Sequence, residues 1–415
     1  MNALDAAAIL VVLAAVLGYV NYRLIKLPHT IGLTVMGAVA SLGVVAIDAV
    51  APAAGLGQPV RDFLAGIDFS KALMEGMLSF LLFAGALHVD LGNLMQRKWT
   101  VLLMATIGVL VSTVLVALGF RLISSAFGLE VPWLWCLVFG ALISPTDPVA
   151  VMGILKSAKV PATLEAKVAG ESLFNDGIGV VVFSILLAGA LGAEDFSLGR
   201  AGELFLLEAV GGAAFGLAVG WIAYRAMKAI DEHNLEVLIT LALVMGGYAL
   251  AHRLHVSGPV AMAVAGLLIG NHGTRYAMSE STRRHVTQFW SLLDEALNSI
   301  LFLLIGLEVI AIALDAGHLL IGLISIAVVL GARAVSVGLP LAAMARFTPF
   351  TKGAFPILVW GGLRGGISIA LALSLPAGPT KVTILTATYV IVVFSVVVQG
   401  ATVGTAARRL VGDSP

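Results

Sequence analysis

Long apolar segments follow one another along almost the entire chain, and this repetition constrains the fold more than any other feature. A helix needs roughly 20 consecutive apolar residues to cross the hydrocarbon core of a bilayer. Segments of that length recur throughout the 415 residues, separated by short connections. Only 12% of the residues are charged, against roughly 25% in soluble domains. We therefore predict an all-α, polytopic membrane protein that forms a single membrane domain over residues 1–415.

Several other classes of protein are excluded by the same sequence. The apolar segments are continuous, whereas the strands of a membrane β-barrel alternate apolar and polar residues. Basic and acidic residues balance at 24 each, so we expect no nucleic-acid partner. Cys136 is the only cysteine, which excludes an intramolecular disulfide. Neither a P-loop nor a His-Glu metal motif is present. We expect no ATP, no cofactor and no enzymatic activity, with an intramembrane enzyme as a remote alternative.

Thirteen candidate spans can be placed in the sequence. They cover approximately residues 5–23, 30–51, 72–89, 100–123, 133–155, 163–191, 203–226, 235–251, 256–271, 286–313, 318–344, 353–375 and 381–407. The first span lacks the basic residues that precede the apolar core of a cleaved signal, so we expect it to be retained. Spans 1–6 (residues 5–191) and spans 8–13 (residues 235–407) are predicted to form two repeats, with span 7 (residues 203–226) as the linker.

Basic residues are divided unequally between the two sets of connections, and this division predicts the orientation of the chain. One set, with the C-terminal tail, contains 16 of them: Arg23, Lys26, Arg97, Lys98, Lys156, Lys159, Lys167, Arg225, Lys228, Arg275, Arg283, Arg284, Arg346, Lys352, Arg408 and Arg409. The other set contains six: Arg61, Lys71, Arg121, Arg200, Arg253 and Lys381. The side richer in basic residues is the cytoplasmic one. We therefore predict an inner (cytoplasmic) membrane protein with its N-terminus outside and its C-terminus in the cytoplasm.

Two predicted spans contain helix-breaking residues at corresponding positions of the two repeats. Span 5 contains residues 144–148, Ser-Pro-Thr-Asp-Pro, and span 12 contains residues 361–366, Gly-Gly-Leu-Arg-Gly-Gly. Proline removes a backbone donor, and glycine weakens a helix. Because the single linker span inverts the second repeat, such paired breaks are typical of the substrate site of a secondary transporter. The simpler interpretation is a pair of ordinary kinks without ion chemistry.

Charged side chains inside the spans are few, and they cluster at or near these breaks. Asp147 lies between the two prolines of span 5, and span 6 contains Glu171. Arg333 lies in span 11, and Arg364 lies in the break of span 12. Such groups are costly at membrane depth and are usually functional. We expect Glu171 to pair with Arg333, and Asp147 either to compensate the ends of the broken helix or to contact Arg364. For Glu171, Arg333 and Arg364 we favour a structural role.

Asp176 in span 6 is the strongest candidate for an ion-binding residue. It shares a helical face with Ser172, four residues earlier, and has no basic neighbour in the sequence. An ionised carboxylate that is buried without a partner has a high free-energy cost. Either a proton or a dehydrated cation can neutralise its charge. Hard cations choose oxygen ligands, which Ser172, Thr146 and the carbonyl groups near Pro145 are placed to supply. One site with two mutually exclusive occupants is the physical requirement for cation/proton exchange.

The remaining polar residues of the spans receive simpler interpretations. Asp294, Glu295 and Asn298 in span 10 are interpreted as a solvated helix face, with an access funnel as the less favoured alternative. Histidines near the predicted span ends, among them His88, can sense pH, but a structural role is usual at such positions.

Four motifs together carry a resemblance to a known family. They are residues 144–148 (Ser-Pro-Thr-Asp-Pro), 170–177 (Gly-Glu-Ser-Leu-Phe-Asn-Asp-Gly), 332–334 (Ala-Arg-Ala) and 361–367 (Gly-Gly-Leu-Arg-Gly-Gly-Ile). In this order, along essentially the whole chain, they resemble the bacterial NhaP-type sodium/proton antiporters, which are monovalent cation:proton antiporters related to the animal sodium/proton exchangers. The resemblance implies an inverted repeat with two interrupted, crossing helices, as in the NhaA/NhaP fold. It also implies a homodimer in the lipid membrane, with a six-helix core that moves against a dimerisation domain.

The same resemblance implies roles for individual residues near the breaks. Asp176 corresponds to the carboxylate that binds the cation or the proton. Asn175 corresponds to the neutral residue that replaces a second aspartate in the electroneutral branch. Thr146 and Ser172 correspond to ligands of the transported ion, and Asp147 corresponds to a second acid near the site.

One further pair agrees with the family, and one position departs from it. Glu171 and Arg333 correspond to a structural ion pair. Many relatives have an acid in span 3, where this chain has Ala84. Glu75 and Asp90 lie too far along the span to replace that acid.

The resulting hypothesis is a secondary antiporter that serves sodium transport and pH homeostasis. It exchanges Na⁺, or Li⁺, for H⁺ by alternating access, and the exchange is electroneutral. Exchange of K⁺ for H⁺ is the alternative within the same fold, because the motifs do not determine ion selectivity. A passive cation channel is a more distant alternative, since the sequence contains no recognisable filter or repeated acidic ring.

Overall fold

The computed structural model describes residues 3–51, 57–148, 151–152, 155, 162–192, 197–311, 315–345 and 353–411. All the regular structure in these residues is helical. Large apolar side chains cover the outer helices; Leu206, Val210 and Ile222, for example, are 61%, 60% and 67% exposed. An apolar surface of this kind requires lipid as its surroundings. The prediction of an all-α, multi-pass membrane protein is therefore confirmed.

The helices of the first half begin and end as follows: α1 Ala3–Val20, α2 His29–Val50, α3 Gly57–Gly66, α4 Phe69–Leu87, α5 Leu91–Gln96, α6 Lys98–Ala126, α7 Trp133–Ile143 and α8 Ala162–Ala190. The helices of the second half are α9 Leu198–Lys228, α10 His233–Arg253, α11 Gly258–Leu268, α12 Glu280–Leu307, α13 Ala316–Met344, α14 Ala354–Trp360, α15 Gly366–Leu373 and α16 Pro379–Leu410. Single π-helical turns interrupt α4, α6 and α16.

Each of the thirteen predicted spans overlaps a described helix, while α3 and α5 were not predicted. Among the described residues, nine helices are long and apolar enough to cross a membrane: α1, α2, α4, α6, α8, α9, α10, α13 and α16. The helices α7 and α11 have 11 residues each, and span 12 is divided into α14 and α15. The helix α12 carries charged residues along its length. The total of thirteen therefore stays a prediction.

Some sequence predictions concern residues outside the described part of the chain. Of the second half of span 5, beyond Pro148, only residues 151–152 and 155 are described, and the end of span 10 is not described. Lys156, Lys159, Arg346 and Lys352, which entered the prediction of orientation, also lie outside.

The helices pack in two groups that meet at α8. The first group contains α6, α7, α8, α13, α15 and α16, and the second contains α2, α4, α9, α10, α11 and α12. In α8, 67% of the most apolar stretch is buried, against 17% in α9, so α8 is central and α9 peripheral. The helix α12 is held to α2 by hydrogen bonds from Thr34 Oγ1 to the Phe302 carbonyl (3.0 Å) and from Ser41 Oγ to the Leu307 carbonyl (2.6 Å).

Candidate ion-binding site

The two interrupted helices meet at their breaks. The helix α7 ends at Ile143, where the Ser-Pro-Thr-Asp-Pro segment begins, and residues 361–365 separate α14 from α15. The backbone N–H of Asp147 donates to the carbonyl of Leu363 at 2.8 Å, which joins the two non-helical segments directly. Because Pro145 and Pro148 have no N–H to continue a helix, the backbone opens here. The predicted crossing of two broken helices is confirmed.

Arg364 compensates the carboxyl end of α7. Its guanidinium donates to the carbonyl groups of Ser144 and Pro145, the latter at 2.9 Å. The last carbonyl groups of a helix lack intrahelical partners and form the negative end of its dipole. Arg364 is 2% exposed, so a buried cation satisfies carbonyl groups that water does not reach. This contact supports the structural role predicted for Arg364.

Asp147 lies at the amino end of α15. A Cβ atom at Gly365, the residue that precedes α15, would lie 2.5 Å from Asp147 Oδ2, so the carboxylate lies directly against this backbone. The amino end of a helix is its positive end and stabilises an anion. The two breaks thus compensate each other, with a cation at the end of α7 and an anion at the start of α15. This position agrees with the predicted compensation of a helix end, and the predicted contact of Asp147 with Arg364 stays a prediction.

Glu171 and Arg333 form a buried ion pair between α8 and α13, as the sequence suggests. Arg333 donates to both carboxylate oxygens of Glu171, with the Nη2–Oε2 distance at 3.0 Å. Its Nε and Nη2 also donate to the carbonyl of Leu358 in α14, at 3.2 and 3.0 Å. A Cβ at Gly362 would collide with this guanidinium, so a side chain there would force Arg333 to shift. The pair connects three helices and leaves Asp176 without a bond to Arg333.

Ser172 and Asn175 bind Thr146. The Oγ atoms of Ser172 and Thr146 are 3.0 Å apart. Asn175 accepts from the backbone N–H of Thr146 at 3.2 Å and donates through Nδ2 to its hydroxyl at 2.8 Å. All three residues are buried. Ser172 and Asn175 therefore fix the position of Thr146, and they do not line the cavity described next.

Asp176 faces a cavity of about 590 Å³ between the two groups of helices. The side chain is 6% exposed, and the described residues give it no hydrogen-bond partner. Thr146 and Asp147 line the same cavity. Among the described residues, six acidic side chains line it: Asp90, Asp147, Glu165, Asp176, Asp294 and Glu295. Asp176 therefore borders a space able to hold an ion, and the charges of Asp147 and Arg364 act on it.

The cavity opens at one membrane face. Asp90 follows the carboxyl end of α4, and Glu165 lies in the first turn of α8. Asp90 is exposed and Glu165 is half-buried, so the lining becomes more solvated away from Asp176. In the predicted orientation this face is the cytoplasmic one.

The position in span 3 where many relatives have an acid does not contribute to the cavity. Ala84 is buried and does not line the cavity, and Glu75 is exposed elsewhere on α4.

Several residues on α12 and α15 also line the cavity. Asp294, Glu295 and Asn298 line the cavity, which favours the access funnel over the solvated helix face preferred from sequence. Ser368, in the first turn of α15, also lines it and was missed. Its side chain is 1% exposed, and its Oγ has no hydrogen-bond partner among the described residues. A polar residue inside a predicted apolar span was the only signal available for Ser368.

These features together define a class of protein. Two broken helices cross in the membrane interior, compensate each other's ends, and hold a lone carboxylate at the inner end of an acidic cavity. Sites of this construction belong to secondary transporters.

Comparison with known proteins identifies the family within this class. Residues 11–409 match the family described as "Sodium/hydrogen exchanger, transmembrane". The chain is 46% identical to the Na⁺/H⁺ antiporter NhaP of Pseudomonas aeruginosa, over 99% of this chain and 98% of that protein. It is 33% identical to the Na⁺/H⁺ antiporter NhaH of Halobacillus dabanensis, over 94% and 93% of the two lengths. The chain belongs to the sodium/hydrogen exchanger family.

A solved structure supports the fold. The chain superposes on the sodium proton antiporter MjNhaP1 of Methanocaldococcus jannaschii with a TM-score of 0.76 over the full length of both chains. The two sequences are 22% identical. The predicted NhaP-like fold is therefore confirmed.

Proposed function

We propose that this protein exchanges Na⁺ for H⁺ across the inner membrane of the cell, with Asp176 binding the two ions in turn. One observation carries the proposal: a lone buried carboxylate, with no hydrogen-bond partner among the described residues, faces the inner end of an acidic cavity. The relatives from P. aeruginosa and H. dabanensis are both named Na⁺/H⁺ antiporters, which favours Na⁺ over K⁺.

Asp176 exchanges its occupants because a buried charge cannot remain alone. An ionised carboxylate loses its water shell on burial, and this loss costs several kcal/mol unless another charge replaces it. A proton neutralises the group, and so does a dehydrated monovalent cation. Both occupy the same oxygens, so binding of one excludes the other. Competition at Asp176 therefore couples the two fluxes without any further energy source.

The oxygens around Asp176 provide ligands for a hard cation. Thr146 supplies a hydroxyl, Asp147 a second carboxylate, and Ser368 a hydroxyl that has no other partner among the described residues. Ser172 and Asn175 contribute by holding Thr146 in place. Sodium favours oxygen donors of this kind, as hard cations do. This refines the ligand set inferred from sequence, in which Ser172 was a direct ligand.

The exchange is electroneutral and proceeds by alternating access. Asn175 is neutral and Asp147 is already compensated by α15, so one elementary charge is exchanged for one at Asp176. The group of helices around α8 carries the site, and the group containing α4 and α12 forms the opposite wall. Movement of the first group against the second closes the cavity on one face and opens it on the other. The second group supplies the contact between two copies of the chain in a homodimer, and lipid surrounds both.

The test is an exchange assay on the full chain reconstituted in liposomes. A Na⁺ gradient is expected to drive H⁺ movement, read by a pH-sensitive dye, and dissipation of the membrane voltage is expected to leave the rate unchanged. Asp176→Asn removes the charge and is expected to abolish the signal. The matched control is Asp62→Asn, at an exposed position on α3, which is expected to behave as the unaltered protein.

Each alternative function predicts a different experimental result. K⁺ driving the signal while Na⁺ does not would assign a K⁺/H⁺ antiporter. Unitary currents in a planar bilayer would assign a channel. Exchange that persists in Asp176→Asn would overturn the role given to Asp176.

A further inference from the structure

His88 is a titratable residue of the cavity that the proposed exchange does not use. It follows α4 directly and is exposed towards the cavity that Asp176 faces. It is the only basic side chain among the described residues that line this space. It also lies one helical turn after Ala84, on the helix where the resemblance leads us to expect an acid.

Both ring nitrogens of His88 have partners. Nδ1 lies 2.7 Å from the carbonyl oxygen of Ala84, and Nε2 lies 2.9 Å from Oγ of Ser291 in α12. The Ser291 hydroxyl donates to the carbonyl of Thr287 at 2.9 Å. His88 therefore connects α4 to α12, two helices of the cavity wall.

This arrangement distinguishes the two protonation states of the imidazole. The Ala84 carbonyl only accepts, so Nδ1 carries a proton. The Ser291 hydroxyl has a single proton, which it gives to Thr287, so Nε2 must also donate if all three contacts exist together. Only the imidazolium has both donors. In the neutral form, the Ser291 hydroxyl must leave Thr287 and donate to Nε2.

Six carboxylates line the cavity together with His88. They lie on α12 (Asp294 and Glu295), on α8 (Glu165 and Asp176), in the break after α7 (Asp147) and directly after Val89 (Asp90). Asp294 accepts from Asn298 at 3.1 Å, and Asp147 lies against α15. A positive charge at His88 offsets part of the negative field that attracts a cation.

We propose that His88 is a second proton-binding residue of the transport cavity, and that its charge determines how strongly the cavity attracts the transported cation at each pH. Protonation completes the bridge to Ser291 and places a cation beside the path to Asp176, so Na⁺ binds more weakly in acid. Deprotonation removes that charge and loosens the bridge. Histidine changes charge in the physiological pH range, which suits it to this task. The inference rests on the proposed exchange function.

The experiment compares variants with fixed charge in the liposome assay. His88→Gln is neutral at every pH and His88→Arg is always positive. At about pH 6, His88→Gln is expected to lower the apparent KM for Na⁺ about threefold to tenfold, the effect of one charge acting across a wet cavity. At about pH 8.5, His88→Arg is expected to raise the KM by a similar factor and His88→Gln to leave it unchanged. Ser291→Ala removes the hydroxyl that accepts from the imidazolium. It is expected to change the dependence of KM on pH in the same direction as His88→Gln, but by a smaller factor.

The control is His252→Gln, at an exposed position that lines no part of this cavity and is expected to keep the unaltered profile. His88 variants with the same dependence of KM on pH as the unaltered protein would overturn the inference while leaving the exchange function intact. Failure of the unaltered protein to exchange at any pH would instead remove the proposed function. If the His88 variants do not give folded protein, Ser291→Ala decides, and an unchanged profile in that variant overturns the inference.

Discussion

At the scale of single residues, the charged side chains around the two breaks divide into those held by partners and Asp176, which faces the cavity. Glu171 is bound to Arg333, Arg364 to the end of α7, and Asp147 lies at the start of α15. Asp176 faces the cavity with no hydrogen bond from the described residues. This division explains how four charged side chains coexist at the two breaks while Asp176 remains available to an ion.

Removing one member of the Glu171–Arg333 pair is expected to destabilise the protein strongly. Glu171→Gln leaves a buried guanidinium without its counter-charge, which costs about 3–5 kcal/mol. The double variant Glu171→Leu, Arg333→Met removes both charges and is expected to recover most of the thermal stability in detergent. Recovery of exchange in the double variant would agree with a structural role, and stable but inactive protein would contradict it. The exposed pair Arg284–Glu280 is the control, since breaking it costs about 0–1 kcal/mol.

Ser368 is expected to matter for cation affinity. Ser368→Ala removes a cavity oxygen and should raise the apparent KM for Na⁺ about threefold to thirtyfold, as expected for loss of one ligand oxygen. Ser368→Thr keeps the hydroxyl and is expected to preserve more of the affinity. Ser374→Ala, at the exposed end of the same helix, where Oγ donates only to the Leu371 carbonyl, is the control. A KM unchanged by Ser368→Ala would exclude the hydroxyl from the ligand set.

At the scale of elements, the two broken helices depend on close backbone approach. Gly365→Ala would place a Cβ atom 2.5 Å from Asp147 Oδ2, so the carboxylate must leave the amino end of α15. We expect a loss of about 1–3 kcal/mol of stability, as for overpacking, and a loss of exchange more than tenfold. Gly331→Ala in α13 has open space around the new methyl group and is expected to be neutral. If both variants exchange equally well, contact between Asp147 and α15 is unnecessary for transport.

At the scale of the whole molecule, the sequence predicts the helices better than the cavity. Length and apolar character locate the spans, and residues 144–148 and 361–366 locate the breaks, because proline, glycine and buried charge act locally. The partners of side chains are set by packing between distant helices. Helical spacing places Ser172 on the face of Asp176, yet Ser172 binds Thr146 on another helix. His88 is one of several histidines near span ends in the sequence, and Ser368 forms no pattern there. Their common place in the cavity becomes visible only when α4, α12 and α15 surround one space.

Orientation determines which membrane face the cavity serves, and it can be measured with cysteine labelling. Cys136 is buried, so the unaltered chain should react little with a membrane-impermeant maleimide. Arg408→Cys, near the end of α16, and Arg200→Cys, near the start of α9, are both at exposed positions. The excess of basic residues on one side predicts that position 408 is labelled only in inside-out vesicles and position 200 only in intact cells. The reverse labelling pattern would mean that the cavity lined by Asp90 and Glu165 opens to the outside of the cell. The proposed competition between Na⁺ and H⁺ at Asp176 would survive that reversal, because it depends on burial of the carboxylate and not on the face to which the cavity opens.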